Sequence, residues 1–219
     1  MKKPSFLLVA LALLFSLAAC GPDQRQDDAA PAPEVSSPSQ SDSAASAEGE
    51  EALEADSGES KILIAYFSAT NNTEGIANYL SSILDADLVE IIPEQPYTSD
   101  DLNYNDSSSR SSLEMNDPDA RPAISGSVDN MEQYDVIFLG YPIWWGEAPR
   151  IVSTFLESYD LSGKTIAPFC TSASSPMGSS AAKLQELTDG AVWLEGQRFS
   201  GGASAGEVQS WVDSLDLDG

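Results

Sequence analysis

Three short segments carry the residue types that could do chemistry in this chain. The first is Ser68-Ala69-Thr70-Asn71-Asn72-Thr73, which offers hydroxyls, amides and the free N–H groups of the helix expected to follow it. Such a set can hold a phosphate through hydrogen bonds and the helix dipole without any Lys or Arg. The same residue types also make an ordinary cap and turn. The segment is neither a Gly-rich dinucleotide fingerprint nor a Walker loop, since no Gly-Lys-Ser/Thr is present. The second segment is Gly140-Tyr141-Pro142-Ile143-Trp144-Trp145-Gly146-Glu147-Ala148-Pro149. Two adjacent indoles in a Gly/Pro-bounded loop are hard to bury together, because each brings a large ring and an N–H donor. One is expected to pack under the loop while its neighbour faces outwards, where something flat could stack on it. Core packing is the competing explanation, and it accounts for one of the pair more easily than for two. The third segment, Cys170-Thr171-Ser172-Ala173-Ser174-Ser175-Pro176-Met177-Gly178-Ser179, is small and polar. It could approach a ring edge and supply backbone donors, or be simply a loop.

What is missing narrows the chemistry further. The chain contains no histidine, which removes Ser-His-Asp and Cys-His catalysis and His-ligated zinc or haem. The two cysteines, Cys20 and Cys170, make neither a zinc cluster nor a disulfide framework. Cys170 ends an apolar run and has no cationic neighbour in sequence to lower its pKa, so it reads as a structural thiol. With 35 acidic against 10 basic residues and no basic cluster, a nucleic-acid surface is excluded. Chemistry must then come from carboxylates, hydroxyls, backbone amides or a bound cofactor.

The elements that must position these segments can be read from hydrophobic period. Residues 62–67 form a short apolar run followed by turn residues, the pattern of a buried parallel strand. Ile76, Ala77, Leu80, Ile83 and Leu84 stand at helical spacing over 73–84, with Thr73 as the expected N-cap. Further strands are expected over 87–92, 134–140, 165–169 and 191–194, and further helices over 149–159, 179–188 and 205–215. Alternation of this kind gives an α/β fold of three layers, a five-stranded parallel sheet with helices on both faces. In such a sheet ligands bind beyond the carboxyl ends of the strands, which is where all three segments fall. The stretch 93–133 is long and polar for a connection. Tyr97, Leu102, Tyr104, Leu113 and Met115 could anchor it to the domain surface, and Arg110 and Glu114 could pair across a helical turn.

Residues 1–20 have the form of a secretion signal. Lys2 and Lys3 precede an apolar run from Phe6 to Ala19, shorter than the ~20 residues a spanning helix needs. The run ends Leu17-Ala18-Ala19-Cys20, which resembles a bacterial lipoprotein signal with Cys20 as the lipid-bearing residue. Residues 21–60 are rich in Ala, Ser, Pro, Asp and Glu and too poor in large apolar residues to bury a core, so they are expected to act as a flexible tether. The folded domain is expected over 61–219.

Taken together, the three loops resemble those of the flavodoxin family, over essentially all of 61–217. Thr70-Asn71-Asn72-Thr73 matches the family's phosphate loop, which usually ends Thr-Gly-Asn-Thr. Gly140-Tyr141-Pro142 through Trp144 and Gly146-Glu147 is similar to the tryptophan loop covering one flavin face, and Thr171-Ser172 onwards to the loop along the ring's other side. Asn71 stands where the family has Gly, and Ala173 and Ser174 stand where related members tend to have Gly. The strings Asp101-Leu102-Asn103-Tyr104, Ser109-Arg110-Ser111-Ser112 and Arg121-Pro122 resemble a bacterial subgroup of the family.

The resemblance implies non-covalent FMN. Ser68, Ala69, Thr70, Asn71, Asn72 and Thr73 would hold its phosphate. Tyr141, Pro142, Ile143, Trp144, Trp145 and Gly146, with Thr171, Ser172, Ala173 and Gly178, would surround its ring. Trp144 or Trp145 would stack on the ring, and Glu147 would oppose negative charge building on it. The implied role is an extracytoplasmic electron carrier, lipid-anchored to a bacterial membrane and serving a protein or small-molecule acceptor. An NAD(P)H- or quinone-dependent reductase, or a flavin-free interaction module, are the alternatives.

Overall fold

The computed structural model describes residues 60–217, so the expected signal, tether and Cys20 lie outside the described residues, apart from Ser60. Its framework is a parallel sheet built on β1 (Ile62–Tyr66), β2 (Asp87–Glu90), β5 (Val136–Pro142), β6 (Thr165–Thr171), β7 (Val192–Trp193) and β8 (Gln197–Phe199). The order is β2-β1-β5-β6-β7, with β8 also pairing with β6. β7 lies beside the start of β6 and β8 beside its end, so the two are successive pieces of one fifth strand position. The apolar pattern over 191–194 predicts the first piece but not the second, because Gln197-Arg198-Phe199 shows no apolar run.

Side-chain alternation along the strands builds two cores. Leu63, Ala65, Phe67, Ile137, Leu139, Tyr141 and Cys170 face α3 (Arg150–Glu157) and α4 (Ser180–Gln185). Ile64, Tyr66, Val136, Phe138, Ala167 and Phe169 face α1 (Asn72–Leu84) and α5 (Ala205–Val212). α1 presents Ile76, Ala77 and Leu80 to the sheet. Full burial of an Ile or Leu side chain contributes about 1.5–3 kcal/mol, so this face is what docks the helix. Gly140 in β5 is required by packing: a Cβ there would lie 2.2 Å from the Phe169 ring.

The expected boundaries move in informative ways. The second strand stops at Glu90 rather than Ile92, because Ile92 and Pro93 form a separate strand, β3, antiparallel to β4 (Ile124–Ser125). β5 and β6 run two residues past their expected ends, to Pro142 and Thr171, which carries the sheet up to the loops. The stretch 93–133 is the crossover from β2 to β5. It carries α2 (Arg110–Asn116) and a short 3-10 turn, Met131–Gln133, and lays Met115, Val128 and Met131 on the α3/α4 core. Along the sheet the chain leaves β1 to one side for β2 and returns on the other side at β5. Strand order therefore reverses between β1 and β5, and the crevice beyond their carboxyl ends is the natural ligand position.

Candidate functional site

The loop leaving β1 enters α1 through Asn71, which takes φ 61° and makes no side-chain cap hydrogen bond. This corrects the expectation that Thr73 caps the helix. Asn is among the few residues that adopt the left-handed region readily, which is how it serves at a position suited to Gly. Thr73 is buried, and its Oγ1 lies 2.8 Å from Thr171 Oγ1, tying the loop to the end of β6. Asn72 Nδ2 donates to Thr70 Oγ1 at 3.0 Å. Among the described residues, none accepts a hydrogen bond from the backbone N–H groups of 68–74. Ser68 Oγ is buried and has no partner among the described residues either. Buried hydroxyls are nearly always satisfied, so this orphan beside a run of free amides at a helix N-terminus fits a bound anion.

The loop leaving β5 separates its two tryptophans as expected. Trp144 is 3% exposed and meets Phe67 and Tyr97 edge-on, with centroids 5.5 and 5.4 Å apart. Trp145 is 45% exposed. Trp144 and Glu147 exchange both backbone hydrogen bonds at 2.9 Å, closing a tight turn with Trp145 at φ 49° and Gly146 at φ 84°. Two left-handed central residues are the mark of a type I′ turn. A bulky residue there is strained, and strain of this kind concentrates at functional sites. Of the pair, only Trp145 presents a free face. Tyr141 is fully buried, its hydroxyl 3.1 Å from Ser180 Oγ, so with Trp144 it can offer a ligand only its main chain. Pro142 and Ile143 are half-buried, and Ile143 N–H donates to Thr171 O at 3.0 Å.

Glu147, whose charge is expected to oppose a reduced ring, is paired with two cations. Its carboxylate accepts from Lys183 of α4 and, at 3.0 Å, from Arg150 of α3. The Lys183 hydrogen bond, and then Arg150, hold its carboxyl below the usual range. The charge is compensated, and Glu147 works as a tie between the tryptophan turn and two helices.

The loop leaving β6 is held from beneath by Arg198 of β8, which sequence reasoning missed. Its Nη2 donates to the carbonyls of Ser172 and Ala173, each at 2.9 Å, and its Nε to Ser172 Oγ at 3.1 Å. Carbonyl and N–H of a trans peptide point in opposite directions, so the N–H groups of Ala173 and Ser174 are turned away from Arg198. Neither has an acceptor among the described residues. Gly178, at φ 59°, comes close to the tryptophan turn: a Cβ on it would lie 3.9 Å from Gly146 O. Cys170 is fully buried and burial pushes its thiol up to about 12, as a structural role requires.

A second aromatic contact at the mouth comes from the crossover. The Tyr104 ring lies 4.6 Å from that of Trp145. Tyr104 sits in an irregular polar stretch, and only the position of the tryptophan turn shows what it meets.

A family described as flavodoxin matches residues 61–215. The chain is similar to a flavoprotein from Bacteroides eggerthii DSM 20697, at 47% identity and TM-score 0.68 over 72% of this chain and 98% of that one. It is also similar to a flavoprotein from Bacteroides uniformis ATCC 8492, at 42% identity and TM-score 0.68, covering 70% and 98%. A flavoprotein in complex with FMN from Lactobacillus acidophilus NCFM is similar at 25% identity and TM-score 0.53, covering 70% and 99%. No curated protein matches the chain. With its sheet order, its loops and a match running from the first strand to beyond the last helix, the chain belongs to the flavodoxin family.

Proposed function

We propose that this protein binds FMN in the crevice between the three loops and carries electrons to a protein or small-molecule acceptor outside the cytoplasm, tethered by lipid on Cys20. The observation that carries the cofactor assignment is the unpartnered Ser68 hydroxyl among the free amides of 68–74. These groups, with Thr70, suit a phosphate that no Lys or Arg contacts. Trp145 supplies a stacking face, and Gly146 with the free amides of Ala173 and Ser174 suits the polar edge of a flavin ring. The FMN complex of the Lactobacillus acidophilus relative supports the same assignment. FMN, when bound, supplies the electron chemistry; the protein binds it, orients it and shields one face.

Ser68→Ala tests this reading. It removes a hydroxyl that has no partner among the described residues, so the flavin-free fold should be as stable as wild type or more so. A lost hydrogen bond to a charged group costs ~1.5–3 kcal/mol, so FMN should bind roughly ten- to a hundredfold more weakly. Riboflavin, without the phosphate, should lose little. Trp145→Ala should weaken both ligands alike. Titrations of both ligands against wild type and both variants, followed by quenching of flavin fluorescence, measure these affinities. Equal losses of FMN and riboflavin in Ser68→Ala would remove the phosphate from this loop, and a wild type that binds neither ends the flavoprotein reading.

The anchor has its own test. Among the described residues no helix is long and apolar enough to cross a membrane. The assignment of the anchor to Cys20 rests on Leu17-Ala18-Ala19-Cys20, which resembles a bacterial lipoprotein signal. Cys20→Ser should leave the membrane fraction or accumulate as uncleaved precursor; a variant processed and fractionating as wild type does contradicts the anchor.

A further inference from the structure

Each of the two adjacent tryptophans is gripped by a tyrosine of the crossover 93–133. Tyr97 meets Trp144 edge-on with rings 87° apart. Tyr97 is itself fixed, its hydroxyl donating to Glu114 and the Arg110 guanidinium lying 4.1 Å from its ring centroid. Tyr104 meets Trp145 with rings 41° apart. That second pair is not explained by burial, since Tyr104 is 56% exposed. Its hydroxyl has no partner among the described residues, so the ring is what Tyr104 contributes.

The chain on both sides of Tyr104 is tied down. Thr98 N–H and Oγ1 donate to Asp101 Oδ2 at 2.9 and 2.7 Å, and Asn105 N–H donates to Asn103 Oδ1 at 3.0 Å. Ser111 Oγ donates to Asp101 O at 2.6 Å, and Ser112 Oγ to Asp106 O at 2.8 Å. Ser111 and Ser112 belong to α2, so the helix holds the loop that carries the ring. Trp145, for its part, occupies a left-handed conformation costly for a bulky side chain. Such a conformation persists only where its surroundings over-determine it. The Trp144–Glu147 bridge fixes the backbone of the turn, and Tyr104 is the ring packed on Trp145.

We propose that Tyr104 is a positioning residue, through which the crossover holds the Trp145 ring ready for flavin before flavin binds. The inference rests on the FMN reading above and gives the crossover a role in it. Because its backbone is tied on both sides, Tyr104 is a fixed brace and not a swinging lid. The brace orders Trp145 during folding, so binding need not order it again.

In the full-length, flavin-free chain, Tyr104→Ala should alter the near-ultraviolet circular dichroism of the tryptophans, and Tyr104→Phe should restore it. FMN and riboflavin should both bind Tyr104→Ala about fivefold to tenfold more weakly, since the aromatic contact is indifferent to phosphate, with Tyr104→Phe within about twofold of wild type. In a Trp145→Ala background, Tyr104→Ala should cost nothing further. Unaltered dichroism in Tyr104→Ala overturns the brace whatever the flavin does. An equal loss of affinity with and without Trp145 overturns it too, because Tyr104 would then act independently of that ring. A wild type that takes up neither flavin refutes the FMN reading instead, and the dichroism still decides the brace.

Discussion

The loop 68–74 and the crossover 93–133 are built from the same polar residue types, and they use them in opposite ways. In the crossover the polar groups close on one another. Asp101 and Asp106 cap their own turns, Ser109 caps α2, and Arg110 links Glu114, the Gln95 carbonyl and the Tyr97 ring. Arg121 joins the crossover to Glu157 of α3 through two bonds, at 2.6 and 2.8 Å. In the loop 68–74, by contrast, the amides and the Ser68 hydroxyl are left open. A polar group whose partner lies within the chain is part of the structure. One left unmatched beside a helix N-terminus is set aside for something outside it.

That contrast predicts opposite outcomes for one substitution in each region. Arg110→Ala leaves Glu114, whose side chain is only 14% exposed, with the Tyr97 hydroxyl but without its cation, and takes the guanidinium off Tyr97. The group is partly solvated, so the cost is about 2–3 kcal/mol of stability, less than for a fully buried pair. Urea unfolding should show that loss, with flavin affinity falling only as far as the brace loosens. Ser68→Ala should do the reverse, weakening FMN without loss of stability. A destabilised Ser68→Ala, or an Arg110→Ala as stable as wild type, would erase the distinction between the two regions.

The sheet and the location of the site were legible because they follow from period and from strand ends. Ile62-Leu63-Ile64-Ala65-Tyr66-Phe67 reads as a buried strand, and the division of Trp144 and Trp145 into one buried and one exposed ring follows from their size. The crossover was not legible in the same detail. β3 and β4 are two residues each, too short to show any period, and β8 carries Arg198 at a position where only the neighbouring loop explains it. The pairing of Glu147 was legible only in part, for a similar reason. Arg150 lies three residues on and could have been paired with it from the sequence, whereas Lys183 reaches it only through the fold.

The tie at Glu147 gives the next effect in size. Its carboxyl is held below the usual range by Lys183 and Arg150, so the stabilisation is present above the pKa of an unfolded Glu. It is lost as pH falls through the lower folded value. Glu147→Gln should therefore be less stable than wild type at neutral pH by about 1 kcal/mol at most, given its partial exposure. The gap should close as pH drops below the ordinary carboxylate range. A gap that persists unchanged to low pH would mean that the charge at Glu147 contributes nothing.

The ionisation of Cys170 bears on stability only in alkali. Burial holds the folded thiol protonated up to about 12, whereas the unfolded thiol ionises near its ordinary value of 9.0. Between these limits the folded state binds a proton that the unfolded state has lost, so stability falls as pH rises, by about 1 kcal/mol per pH unit for one group. Tyr66 and Tyr134 are likewise raised, to about 12, but from 10.0, so Cys170 dominates the lower part of the window. In a Cys20→Ser background, which leaves a single thiol, stability should fall between roughly pH 9 and 10 and Cys170→Ala should flatten that slope. Cys170→Ala should also cost about 1 kcal/mol at neutral pH for the missing sulfur and leave FMN affinity unchanged. Equal alkaline slopes with and without Cys170 would show that the thiol is open to solvent, and a fall in FMN affinity would move Cys170 from the core to the binding site.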